Sequence, residues 1–239
     1  MPRFLVIFAV VFAAPGALAD GATLSGEVSL APASQREPAP ERNRGFVPRR
    51  PNAERPVTAY DPRPYMIVVL EGAAAESGAG GASDIEYPIE GASFTAPIRP
   101  VVAGVSFSIA NRSQHAPRLY APGDLDLIPG DPINPGSSRD VTVSTPYQAF
   151  DVRDRDTAHI EGRLVAFPHP YFSRVSDAGS FRIEDVPEGR YSLRVWYRNG
   201  WLDIDPEPVT VDEAGRITTD IDIPPVLEIT SPEESPEAE

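Results

Sequence analysis

The chain has 239 residues, with 35 acidic against 21 basic side chains, for a formal net charge of −14. It has no cysteine and no lysine, which excludes disulfides, Cys-ligated zinc, iron–sulfur and blue-copper centres, Cys nucleophiles, P-loops, Schiff bases and Ser–Lys dyads. The negative charge argues against nucleic acid and anionic membrane surfaces as partners.

Arg3 is followed by an apolar run from Phe4 to Ala14, then the breaker Pro15-Gly16 and the A-x-A site Ala17-Leu18-Ala19. This three-part pattern predicts a signal peptide over residues 1–19, cleaved near Ala19, and a periplasmic or secreted protein. The run is shorter than the roughly 18 apolar residues a membrane span needs, and no later stretch is long enough. Thr23 to Leu30 alternates apolar and polar residues and reads as a first strand. Residues 31–64 are rich in Pro and Arg, which removes backbone donors and leaves little to bury, so an extended loop is expected. It is either a basic arm for an acidic partner or a solvated insertion.

Tyr65 to Leu70 is a compact apolar run suited to a central strand, and Gly72 to Ser83 is a small-residue linker. Strand-like pieces punctuated by turns follow at 93–94, 98–102, 105–110, 140–143, 149–152, 162–167, 180–183, 191–197 and 217–223. No segment keeps a helical period, so the expected fold is an all-β sandwich. From Pro224 the chain runs into Pro and Glu, and residues 226–239 are expected to be a disordered acidic tail.

Asp177-Ala178-Gly179 is a turn signal followed by Phe181 and Ile183 alternating inward; Pro187-Glu188-Gly189 then turns into Tyr191, Leu193 and Val195 on one face. This D-x-x-G-x-F…P-x-G-x-Y-x-L-x-V arrangement resembles the carboxypeptidase regulatory-like (transthyretin-like) β-sandwich. Gly26-Glu27-Val28 and the run ending at Leu70 fit its first two strands. Between them, Phe94-Thr95-Ala96-Pro97 leads through Gly104 to Val105-Ser106-Phe107 and Asn111, and Gly162 to Phe167 closes the segment. That part is similar to a cupredoxin domain. The order as a whole resembles methylamine-utilisation-type cupredoxins that are exported. The resemblance implies a cupredoxin-like sandwich over 85–168, nested within or beside a carboxypeptidase regulatory-like sandwich made from 20–84 and 169–225.

A blue-copper centre needs two imidazoles and a thiolate with a weak axial thioether. The family places the last three as C-x-x-H-x-x-M before the closing Gly. Counting back from Gly162 puts Asp154, Thr157 and Ile160 there, so the resemblance implies a cupredoxin fold whose copper ligands are lost. His115, four residues after Asn111, remains in the first-ligand region. A second reading has His115 and His159 binding copper or zinc with Asp154 or Asp156, although no short His spacing supports it.

Asp124, Asp126 and Asp131, and likewise Asp203 and Asp205, read as solvated loop acids, not a calcium site. His169, between two prolines, reads as a turn residue. Along 191–198, Arg194, Trp196 and Arg198 share a face, with Trp201 after the Asn199-Gly200 turn signal. This face either meets a sugar or protein partner through stacking and cation–π contacts, or Trp196 packs between the two sandwiches. No H-x-x-E, G-x-S-x-G or G-x-G-x-x-G motif occurs. The expectation is a non-catalytic exported protein with no cofactor that binds an envelope protein or glycan. A metal carrier and a glycan-active enzyme are the rival readings, and the oligomeric state is left open.

Overall fold

The computed structural model describes residues 21–32, 60–72, 85–212 and 215–230. The predicted signal peptide, the body of the Pro/Arg loop (33–59), almost all of the small-residue linker (73–84) and residues 231–239 of the tail lie outside the described residues.

The fold is all-β. Its strands are β1 (Ala22–Leu30), β2 (Met66–Glu71), β3 (Glu86–Glu90), β4 (Ser93–Phe94), β5 (Arg99–Val102) and β6 (Ser106–Asn111). Next come β7 (Leu119–Tyr120), β8 (Ser138–Thr142), β9 (Ala149–Asp154), β10 (Glu161–Phe167), β11 (Phe172–Arg174) and β12 (Ser180–Val186). The last are β13 (Gly189–Tyr197), β14 (Gly200–Leu202), β15 (Glu207–Val211), β16 (Arg216–Thr218), β17 (Ile221–Ile223) and β18 (Ile229–Thr230).

Strands before Gly72 pair with strands after Pro170, and those from β3 to β10 pair among themselves. The first sheet runs β12-β1-β16 with β17 also on β1; the second runs β11-β2-β13-β14-β18 with β15 on β13. These two share a core that includes Leu24, Val28, Val68, Leu70, Phe181, Leu193 and Val195. The third sheet, β5-β10-β9-β7, and the fourth, β4-β3-β6-β8, share a separate core around Tyr87, Ile109, Val152 and Leu164.

The continuous apolar runs have a specific cause. In β2, Met66, Val68 and Leu70 enter the first core, while Ile67 and Val69 face the other way. In β10, Leu164 and Ala166 enter the second core, while Val165 and Phe167 face outward. These outward faces meet, and with Ile98, Trp196 and Trp201 they form a third apolar cluster between the sheet pairs. Strands covered on both faces carry no polar alternation.

Three expectations need correction. The piece 217–223 is two strands, because β1 pairs in parallel with β16 at Thr23–Ser25 and then with β17 at Val28–Leu30. Ile229–Thr230, expected in the disordered tail, pairs with Trp201 and Leu202 of β14. The end of the Pro/Arg loop is ordered: Arg63–Tyr65 form a 3-10 turn, with the Asp61 carboxylate accepting from the Arg63 backbone N–H at 3.1 Å and from its guanidinium at 2.7 Å.

Candidate functional site

Polar side chains gather at two places: the loop end of the second sheet pair, where the cupredoxin resemblance would put a metal, and a groove where the two sheet pairs diverge.

At the loop end, β9 finishes at Asp154 and the chain loops to β10. Asp154 is buried, and both carboxylate oxygens are used: Oδ1 accepts from the Arg118 backbone N–H at 2.6 Å and Oδ2 from that of Thr157 at 2.8 Å. Asn111, at the end of β6, is 1% exposed and also saturated. Its amide donates to the carbonyls of Ile133 at 2.7 Å and His115 at 2.6 Å, while its Oδ1 accepts from the N–H and hydroxyl of Ser113. Ile160 lies in the second core. The side chains of this end tie the loops to one another.

The set His115, His159 and Asp154 is not assembled as a metal site. Both histidines are exposed, Asp154 is turned to backbone donors, and no three His, Asp or Glu side chains among the described residues could hold an ion together. Asp156 is engaged elsewhere: Arg118 grips it at 2.8 and 2.7 Å, and this hydrogen bond holds its carboxyl below the ordinary carboxylate value. The residues present do not fit a blue-copper ion, which needs a thiolate and two imidazoles.

The tryptophans are likewise unavailable to a partner. Trp196 is 0% and Trp201 2% exposed, so the reading in which they stack a ligand is corrected; they pack between the sheet pairs. Trp196 meets Trp201 edge-on at 5.1 Å and Phe167 at 5.7 Å, and its Nε1–H donates to the Arg198 carbonyl at 3.1 Å. Arg194 is spent on the same cluster, lying 4.2 Å above the Trp201 ring and donating to Glu71 at 2.9 Å.

Arg198 is the one residue of that predicted face that reaches a groove. The turn begins one residue earlier than the Asn199-Gly200 signal implies: Tyr197 pairs with Gly200, so Arg198 takes the left-handed backbone, with φ 59°. Gly200 serves another purpose, since a Cβ there would meet Ile229 at 2.3 Å. The Arg198 guanidinium donates to the Tyr60 hydroxyl at 2.7 Å and lies 5.3–5.5 Å from the rings of Tyr60, Tyr65 and Tyr197. Burial works against its charge, but the Tyr60 hydrogen bond and the surrounding phenols outweigh that and raise its pKa.

The groove floor is the outward face of β9 and β10. Along that face of β10, Glu161 and Arg163 give way to Val165 and Phe167; along β9, Arg153 and Asp151 give way to Ala149. The apolar half is covered by the Trp196–Trp201 cluster, and the charged half is left open beside it. Asp151 ties two guanidiniums together: Arg163 donates to its Oδ1 at 2.8 and 2.6 Å, and Arg153 reaches its Oδ2 at 3.4 Å. Two adjoining hollows of about 310 and 420 Å³ share Asp151, Arg163 and Arg198. Tyr65 and Pro97 flank one, and Gln148 and Asn199 flank the other. Sequence reasoning missed every floor residue, although the switch from charged to apolar on one face of β10 was readable.

The remaining candidates behave as loop or packing residues. Asp124 caps its own loop by accepting from the Asp126 N–H at 3.1 Å, and Asp203 donates its N–H to the Glu228 carbonyl. His169 is 2% exposed and stacks on Tyr171.

No protein-family model matches the chain, and no curated protein matches it. Solved structures similar to it include two cupredoxins. Amicyanin from Paracoccus versutus is 13% identical, covering 41% of this chain and 96% of its own, with a TM-score of 0.32. Auracyanin from Roseiflexus castenholzii is 15% identical, covering 37% and 100%, with a TM-score of 0.29. Lac15 from a marine microbial metagenome is 12% identical, covering 62% and 72%, with a TM-score of 0.27. At these identities and TM-scores the likenesses concern the chain trace and carry no statement about metal or activity.

Proposed function

We propose that this is an exported binding protein that works without a metal and without catalysis, with a cupredoxin-like unit (85–168) inserted in a carboxypeptidase regulatory-like sandwich (20–84 and 169–225). The observation that carries the reading is Asp154. It stands where the resembled family has its thiolate, and both its oxygens are committed to backbone N–H groups. Turning the Asp154 carboxylate toward a metal would leave two part-buried N–H donors unpaired, so the loop end is built to stay closed. The separate pairing of β3 to β10 supports the inserted unit, and residues 1–19 support export. The partner is an envelope protein or glycan.

The test is metal analysis of protein expressed with copper and zinc supplied, followed by titration with each ion. The expected result is substoichiometric metal and no saturable binding. Stoichiometric copper or zinc that disappears in His115→Ala overturns the metal-free reading.

A further inference from the structure

We infer that the groove between the sheet pairs is a binding cleft for carboxylate-bearing oligosaccharides, that is, uronic acid polymers; this names the site and ligand class of the binding reading above and rests on it. The groove presents three guanidiniums, Arg153, Arg163 and Arg198, against two carboxylates, Asp151 and Glu161, so it is locally basic on a chain of net charge −14. A basic concavity on an acidic surface favours an anionic ligand there and repels it elsewhere.

The guanidiniums are held in advance. Asp151 fixes Arg163 and Arg153, and the tyrosine rings with the Tyr60 hydroxyl fix Arg198. The Arg198 Nε is buried with no hydrogen-bond partner among the described residues. Among the described residues, three that are not glycine have a left-handed backbone, Tyr147, Asp185 and Arg198; Asp185 lies away in β12, whereas Arg198 lines the groove and Tyr147 directly precedes Gln148, which also lines it. Backbone strain of this kind collects where side chains must be aimed.

The chemistry of the lining separates a sugar from a peptide. Planar amides at Gln148 and Asn199, guanidiniums, carboxylates and the Tyr65 ring are groups that hydrogen-bond and stack on a polyhydroxylated ring. A peptide bound by strand addition needs a free sheet edge; β10 is paired on both sides, and β9 is paired along its length by β10 and at Arg153 and Asp154 by β7, which leaves only the short stretch Ala149–Val152 open on that side. A peptide bound by apolar anchors needs apolar surface, and among the described residues the large exposed apolar ones, Leu125, Val226 and Ile229, line neither hollow. The hollows have the size of small-ligand sites, and sharing Asp151, Arg163 and Arg198 they suit adjoining sugar rings.

The experiment is calorimetric titration of the full mature chain, in EDTA, with oligogalacturonate, its methyl ester and a poly-glutamate peptide. Saturable binding of the free acid is expected, lost on esterification. Arg163→Gln and Arg198→Gln should each weaken it about tenfold or more, the worth of a charge-assisted hydrogen bond, and Arg182→Gln should leave it unchanged. Circular dichroism checks folding; if Arg198→Gln does not fold, Arg163→Gln and Arg153→Gln decide. No binding of the acid by the folded chain, equal binding of the ester, indifference to Arg163→Gln, or tighter binding of poly-glutamate each overturns the assignment. Binding that requires added copper or zinc overturns the metal-free reading instead and leaves the groove standing.

Discussion

The Asp154 carboxylate holds the loop after β9 to the segment that follows Asn111, because each of its oxygens takes a backbone N–H from one of them. Asp154→Ala removes both acceptors at once and should cost about 2–4 kcal/mol, measured by urea denaturation. Asp154→Asn keeps one acceptor and turns an amide N–H₂ against the other donor, so it should recover little of that loss. Asp156, two residues on, is exposed, and its lowered pKa is owed first to the Arg118 hydrogen bond. A depressed carboxyl favours the folded state above its unfolded pKa, and the advantage fades as pH falls through the folded value. Arg118→Gln should therefore move the Asp156 titration upward toward the ordinary carboxylate value in a carbon-detected NMR experiment. An unmoved titration would show that the ion pair does not form in solution.

The element that most constrains the first sheet is β1, whose parallel partner changes from β16 to β17 across Gly26. A Cβ on Gly26 would lie 1.7 Å from the Thr219 carbonyl oxygen and 2.8 Å from the Phe181 ring, and backbone cannot move aside as a side chain can. Gly26→Ala should cost about 3 kcal/mol, read from the shift in denaturation midpoint. The long strands were legible because their side chains alternate or run apolar, as in β1, β2, β10 and β13. Those missed have other causes. In β3, Pro88 interrupts an otherwise readable Tyr87/Ile89 alternation. The strands β7, β11, β14 and β18 hold two or three residues each, so their partners create them and local pattern does not. The break in 217–223 depends on Gly26, almost 200 positions away in sequence, which no local window contains. At the candidate site the same limit applies. The positions that the resemblance assigns to ligands could be counted back from Gly162, but the groove exists only where β9 and β10 meet the Arg198 turn, and a left-handed arginine two residues before a glycine is not an expected choice.

For the whole molecule, the third apolar cluster lies between the two sheet pairs and should make the folding of one depend on the other. It contains both tryptophans of the chain, so their fluorescence reports the junction. Each core also holds a buried tyrosine whose pKa is raised by burial, Tyr197 in the first and Tyr87 in the second. A raised phenol pKa favours the fold fully below the unfolded value, about 10, and the advantage is lost as pH rises beyond it, since only the unfolded chain ionises freely. Stability should therefore be flat near pH 8 and fall above about pH 10, in both sheet pairs at once. If the junction couples the pairs, tryptophan fluorescence and far-ultraviolet circular dichroism should give one coincident urea transition. Trp196→Ala removes the ring that touches both Phe167 of β10 and Trp201 of β14. It should cost about 3–5 kcal/mol and split that transition, with Trp201 fluorescence changing before the strand signal is lost. A single coincident transition in Trp196→Ala would place the coupling elsewhere, in the short connection at 168–171 that joins β10 to β11.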